Sequence, residues 1–214
     1  MTVLLVIAKA PAVGRSKTRL CPPCTFEEAA RLAEAALADT LTAVAVTRAA
    51  RRVLVLDGEP GPWLPPGVDV IPQRGRGLDE RLAAAFEDAG GSAFLIGMDT
   101  PQVTPALLER SMARLCHPAV DAVLGRSDDG GYWGIGLREP DPNMLLGVPM
   151  SCPDTCAAQR RRLRRLGLLV AELPGLRDAD LIEDAWAVAS AIPGSRFASM
   201  LREVLTTPPL ELAG

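Results

Sequence analysis

Val3–Ala8 is apolar at all six positions, and no other feature restricts the fold of this 214-residue chain more. A run that is apolar on both faces suits a strand buried inside a parallel sheet with helices above and below. Comparable short runs read as strands at Val53–Asp57, Val68–Ile71, Ala93–Met98 and Leu168–Leu173. Asp121–Gly125 and Tyr132–Leu137 read as two more, flanking the loop Arg126–Gly131. Longer helical stretches alternate with them: Thr25 to about Val46, Leu78–Ala89, one opening at Thr104-Pro105, one capped by Asp154 and ending at Gly167, Asp180–Ala191 and Ser195–Leu205. Thr25 with Glu28 three residues later spells a capping box. Thr before Pro at Thr104-Pro105 is a second start signal. The alternation predicts an α/β fold, a single-domain three-layer sandwich with a mostly parallel central sheet. Residues 1–192 read as that domain, and residues 193–214 as a terminal helix with a loose tail from Thr207-Pro208-Pro209.

Composition narrows the function classes. Hydrophobic residues at 48% and charged residues at 23% exclude extensive disorder. A net charge of −3 and 4% aromatics argue against a nucleic-acid binder. No apolar run approaches the roughly 18 residues of a membrane span. The N-terminal apolar run lacks the basic lead of a signal peptide. An odd count of five cysteines fits a reducing compartment. The expectation is a cytoplasmic domain that handles small molecules, with no membrane or nucleic-acid partner. Of 23 basic residues only Lys9 and Lys17 are lysines, and both fall in one short loop. Lysine offers a compact charge on a flexible stem, where arginine offers a planar fork.

Ligands of open α/β sheets sit at the carboxyl ends of strands, and three polar loops follow strands here. The first, Ala8 to Leu20, holds Gly14, two lysines, two arginines and no acid, which suggests a phosphate site. It matches neither a Walker loop nor a dinucleotide fingerprint, and a solvated basic loop is the plainer alternative. In the second, Ile96 to Pro101, Asp99 could hold a divalent cation through its carboxylate or bond nearby backbone amides. The third, Ser127 to Trp133, pairs Asp128 and Asp129 with Gly130 and Gly131 beside the chain's only tyrosine, Tyr132. Either aspartate could assist a metal or act as a general base, or the whole could be a tight hairpin turn.

Taken together, Ala-Lys-Ala-Pro…Gly…Lys-Thr-Arg-Leu, Gly-x-Asp-Thr-Pro and Asp-Asp-Gly-Gly-Tyr…Ile-Gly-Leu resemble the small bacterial A-type glycosyltransferases found beside radical-SAM and arsenosugar genes. These belong to the nucleotide-diphospho-sugar transferase superfamily, with a Rossmann-like GT-A fold, and the likeness runs from about Thr2 to Ala191. The Lys-Thr-Arg-Leu segment is similar also to guanylyltransferases of deazaflavin-cofactor synthesis. The resemblance implies that Ala8, Lys9, Gly14, Lys17 and Arg19 hold nucleotide phosphates, that Gln73 with Gly77-Leu78 touches the base, and that Asp99 binds magnesium or manganese. It implies that Asp128 to Tyr132 face the acceptor or sugar. Lys17, Asp128 and Asp129 would then be the catalytic residues, and Gly130, Gly131 and Tyr132 the substrate contacts. Glycosyl transfer from a nucleotide-sugar is the first expectation. Nucleotidyl transfer from a triphosphate to a phosphate monoester, and nucleotide binding without turnover, are the alternatives. This chain departs from the family pattern at Cys21 and Cys24, where aliphatic residues are usual, and at Met150, where Trp is usual.

Cys21-Pro-Pro-Cys24 and Cys152-Pro-Asp-Thr-Cys156 could form a tetrathiolate zinc site, but unrelated reduced thiols are the reading taken. Cys116 reads as core. His117, the only histidine, reads as a helix-end residue. The arginine-rich stretch Arg160–Arg165 reads as a solvated helical face, with an anionic acceptor as the alternative.

Overall fold

The computed structural model describes residues 1–206. Its strands are β1 (Val3–Lys9), β2 (Arg52–Asp57), β3 (Asp69–Pro72), β4 (Ala93–Ile96), β5 (Ala122–Ser127), β6 (Tyr132–Leu137) and β7 (Val170–Leu176). Its helices are α1 (Phe26–Val46), α2 (Leu78–Ala89), α3 (Pro105–Leu115), α4 (Thr155–Arg165), α5 (Ile182–Ala191) and α6 (Arg196–Thr206). The strands form one sheet in the order β3-β2-β1-β4-β6-β5-β7. Only β6 runs against the rest, pairing antiparallel with β4 and β5. The expected three-layer α/β sandwich with a mostly parallel sheet is what the chain forms.

Strand alternation assigns the two faces. Leu4, Val6, Leu54 and Phe94 pack under α1 and α3, with Leu41 and Leu108 as partners. Val3, Leu5, Val53 and Leu95 pack under α2 and α4, against Phe86 and Leu163. The far side of α1 buries Leu32 and Ala36 against Phe197 and Leu201 of α6 and Val188 of α5. Trp133 is buried edge-on to Phe94, with ring centroids 5.8 Å apart, and its indole N–H donates to the Pro174 carbonyl at 2.9 Å.

Local signals fixed several boundaries. Thr25 Oγ1 accepts from the Glu28 backbone at 3.2 Å while Glu28 accepts from the Thr25 backbone at 2.8 Å, completing the capping box. Thr104 Oγ1 caps α3. Elsewhere the fold corrects the reading. The fourth strand stops at Ile96: Gly97 N–H still bonds the Trp133 carbonyl of β6, but beyond it Met98 turns its Sδ to the Lys9 N–H of β1. The last strand runs on to Leu176 past Pro174-Gly175, with a register shift against β5. Asp154 stands at the start of α4 without a side-chain capping bond. Cys116 ends α3 exposed, not in the core. The tail from Thr207 lies outside the described residues.

The topology gathers loops at one end. The chain passes from β1 outward to β3 and returns to β4 on β1's other side, which makes a switch point between β1 and β4. The carboxyl ends of β1, β4, β5 and β7 all lie at that end, together with the amino end of β6.

Candidate active site

At that end the basic loop folds back on itself, Ala12 N–H donating to Ser16 Oγ at 2.9 Å. Lys17 follows with φ 46° and ψ 39°, a left-handed conformation. Its ammonium donates to Asp99 Oδ1 at 2.8 Å and to the Ala179 carbonyl at 2.8 Å, and lies 3.5 Å from Asp180 Oδ1. Its side chain is 4% exposed. Burial alone works against the charge, but Asp99 and Asp180 outweigh it and hold the Lys17 pKa above its ordinary value. Arg19 approaches Asp180 from solvent at 3.6 Å.

Asp178 lies beside them and accepts a hydrogen bond from Ser127 Oγ at 3.1 Å. Burial, then repulsion from Asp129, Asp99 and Asp180, pushes its carboxyl up to about 8 despite that bond. Burial and Asp99 likewise raise Asp180, against the pull of Lys17 and Arg19. The buried Thr100 hydroxyl has no hydrogen-bond partner among the described residues. Among the described residues, no three His, Cys, Asp or Glu side chains close into a metal cage. A hard divalent ion here would rely on one or two carboxylates, with water and phosphate completing its shell.

Two cavities meet at Gly97, Leu78, Asp99 and Asp180. The larger, about 650 Å³, is lined by Lys9, Arg15, Lys17, Arg19, Arg76 and Arg81. The smaller, about 250 Å³, holds Asp129 and Asp178 against Leu82, Tyr132, Trp133 and Met150, with no lysine or arginine in its wall.

Of the expected nucleotide contacts, Ala8, Lys9, Lys17, Arg19, Gln73 and Leu78 line the larger cavity, while Gly14 and Gly77 line neither. Gln73 is a brace: its amide donates to the Ala8 carbonyl at 2.7 Å and the Val55 carbonyl at 3.1 Å, and Arg81 bonds its oxygen at 3.0 Å. Asp99 stands where the cavities join. Asp129, Gly131 and Tyr132 line the smaller cavity. Asp128 instead points to solvent and pairs with Arg177 at 3.1 Å. Gly130 is buried behind the loop, its carbonyl accepting from Cys156 N–H at 2.9 Å. Tyr132 aims its hydroxyl at Met150 Sδ, 3.9 Å away, and burial raises its pKa above the phenol range.

Sequence reasoning missed Asp178, Asp180, Thr100, Arg76 and Arg81, and counted Arg15 only as part of the basic loop. Asp180 reads in sequence as opening a helix, but α5 begins at Ile182 because Lys17 and the Asp99 carbonyl bind Ala179 into the site. The available signal is Asp-Ala-Asp directly after a strand, which puts two carboxylates on one side of an extended segment.

Of the remaining candidates, Cys152 lines the smaller cavity and the others lie elsewhere. Cys24 and Cys156 pack in different apolar clusters. His117 is exposed, its Nδ1 accepting from Ala119 N–H at 3.2 Å. Arg162 donates to the Asn143 and Leu146 carbonyls at 2.8 and 2.9 Å, so this part of the basic helix is a structural tie.

Fold and site together define an α/β domain of the kind that binds nucleotides at the switch point of its sheet. Residues 29–152 match the family described as "Uncharacterized protein conserved in bacteria (DUF2064)", and the chain belongs to that family. It is 31% identical over 196 residues to a phosphoenolpyruvate guanylyltransferase of Conexibacter woesei, covering 83% of this chain and 86% of the relative. A crystal structure from Desulfovibrio desulfuricans G20, described as a candidate nucleotide-diphospho-sugar transferase, superposes with a TM-score of 0.85 at 27% identity over 94% of both chains. The 2-C-methyl-D-erythritol 4-phosphate cytidylyltransferase of Thermus thermophilus shares the fold, with a TM-score of 0.55 at 19% identity over 90% of this chain and all (100%) of that one. Among the described residues no helix is long and apolar enough to cross a membrane.

Proposed function

We propose that this nucleotide-dependent transferase is a nucleotidyltransferase, moving the nucleotidyl group of a nucleoside triphosphate to a small acceptor and releasing pyrophosphate. The charge of the larger cavity carries this reading. Lys9, Arg15 and Arg76 line it without an ion-pair partner among the described residues, while Lys17, Arg19 and Arg81 line it in ion pairs with Asp99, Asp180 and Asp57. Such a cationic wall suits a triphosphate, with about four negative charges, better than a diphosphate ester with about two. Guanylyl transfer by the Conexibacter relative is chemistry of the same class. Glycosyl transfer remains the second reading, favoured by the Desulfovibrio structure. The proposal includes action in the cytoplasm on small molecules, with no membrane or nucleic-acid partner.

In this reading the acceptor occupies the smaller cavity and its oxygen attacks the α-phosphorus. The bond from that phosphorus to the α,β-bridging oxygen breaks, and the leaving pyrophosphate collects the charge. Lys17 and the arginines of the larger cavity stabilise that charge as it develops. Asp129 Oδ1 is fixed by the Gly131 N–H at 2.8 Å, which leaves Oδ2 to accept from the acceptor. Asp99 and Asp180 would hold a magnesium or manganese ion, and the repulsion between them, with Asp178 adding negative charge beside them, suits such a cation. When bound, the ion supplies Lewis-acid stabilisation of the phosphates.

Thermal shift against triphosphates and nucleotide-sugars, each with magnesium or manganese, tests this. A ligand at about 100 times its Kd adds roughly 2.7 kcal/mol, a rise of roughly 5–10 °C for a chain of this size. Stabilisation by nucleotide-sugars alone would reverse the order of the two readings. Lys17→Ala should weaken triphosphate binding about 10- to 100-fold, the loss of one charge-assisted contact, while the exposed Arg164→Ala changes it less than about twofold. Calorimetric titration showing equal losses would remove the phosphate role of the loop.

A further inference from the structure

Lysine is scarce in this chain, yet one of its two lysines is sunk to 4% exposure among carboxylates. The Lys17 ammonium has three donors, and three oxygens surround it: Asp99 Oδ1 at 2.8 Å, the Ala179 carbonyl at 2.8 Å and Asp180 Oδ1 at 3.5 Å. Two of these oxygens belong to carboxylates that the proposed function assigns to the divalent ion. The ammonium already donates to Asp99 Oδ1 and stands 3.5 Å from Asp180 Oδ1, so an ion bound between those same two oxygens would lie against it, where two cations repel. The hydroxyl of Thr100, the residue after Asp99 and 1% exposed, has no hydrogen-bond partner among the described residues.

We infer that the Lys17 ammonium is a built-in occupant of the divalent-cation seat, displaced when the metal ion arrives and passed to the phosphates of the nucleotide. The inference rests on the assignment of Asp99 and Asp180 as metal ligands. Lys17 also lines the larger cavity, so rotation about its flexible stem suffices for the exchange. An arginine fork could not substitute, being planar and too broad to sit in an oxygen cluster shaped for a small cation. Metal and nucleotide are thereby coupled. Metal alone must break the bonds of a buried ammonium, whereas phosphate offers that ammonium new acceptors, and each ligand raises the other's affinity by the same factor.

Two measurements on the full chain test the exchange. Lys17→Met should bind Mn²⁺ without nucleotide at least about 10-fold more tightly than wild type, read from the free-ion paramagnetic signal. Asp99→Asn added to that variant should abolish the gain. Because the chain has only two lysines, ε-¹³C-lysine labelling gives two side-chain signals. Saturating Mg²⁺ with nucleotide should shift the Lys17 signal to that of a mobile, phosphate-facing ammonium, and this readout serves even if Lys17→Met does not fold. Equal Mn²⁺ affinities of the two proteins, or a Lys17 signal that stays unmoved while metal binds, overturns the exchange and leaves the metal site standing. Failure of either protein to bind Mn²⁺ even with triphosphate overturns both the exchange and the metal assignment.

Discussion

Gly130→Ala is expected to lower the Tm by roughly 6–12 °C, about 3 kcal/mol, and to abolish transfer while leaving nucleotide binding largely intact. Gly130 adopts φ +91°, and a Cβ there would land on the Pro153 carbonyl, which is backbone and cannot step aside. The position is also tied on both sides. Its N–H bonds the Ser127 carbonyl at 3.1 Å, and its carbonyl receives Cys156 N–H at 2.9 Å. Pushing Pro153 away therefore drags the 151–155 segment, whose Ser151, Cys152 and Thr155 wall the smaller cavity. Gly67→Ala is the control. It has a similar φ of +81° with nothing within 4 Å of an added Cβ, so only the backbone preference, about 1 kcal/mol, is at stake. Thermal melts showing equal losses would mean that conformation, not contact with Pro153, restricts position 130.

That contact illustrates what could be read ahead of the structure. Strands and helices were legible because their signals are local: the capping pair Thr25 and Glu28, the Thr104-Pro105 start, and the doubly apolar run at β1. The basic loop was legible because charge and glycine cluster within a few residues. Partnerships across the sheet were not. Asp128 and Asp129 are adjacent, yet Arg177, 49 residues further on, draws the first to the surface and leaves the second in the cavity. Gln73 has the right place for a base contact, but the Ala8 and Val55 carbonyls already occupy its amide. The Asp-Ala-Asp segment escaped notice because Pro174-Gly175 breaks the strand pattern just before it, hiding that β7 continues to the same end of the sheet as β1 and β4.

Asp178→Asn should make the ligand-free protein more stable and the enzyme far less active. Burial and the neighbouring Asp129, Asp99 and Asp180 push the Asp178 carboxyl from 3.8 up to about 8 in the folded state. Between about pH 4 and pH 8 the folded chain therefore binds a proton that the unfolded chain has released, and stability falls as pH rises through that window. The asparagine variant carries no such charge and can still accept from Ser127 Oγ through its amide oxygen. Its melting curve should match wild type near pH 4 and exceed it at pH 8 by roughly 4–8 °C, on the order of 2 kcal/mol. Magnesium with a triphosphate should then stabilise wild type more than the variant, because the ion relieves a repulsion that the substitution has already removed. Transfer should drop by at least about 100-fold, the loss of one negative charge beside the carboxylates that hold the cation at the reacting phosphates. A variant that tracks wild type from pH 4 to 9 would mean that solvent or Lys17 already neutralises the cluster. A variant that is more stable yet fully active would mean that the charge of Asp178 contributes nothing to holding the cation at Asp99 and Asp180.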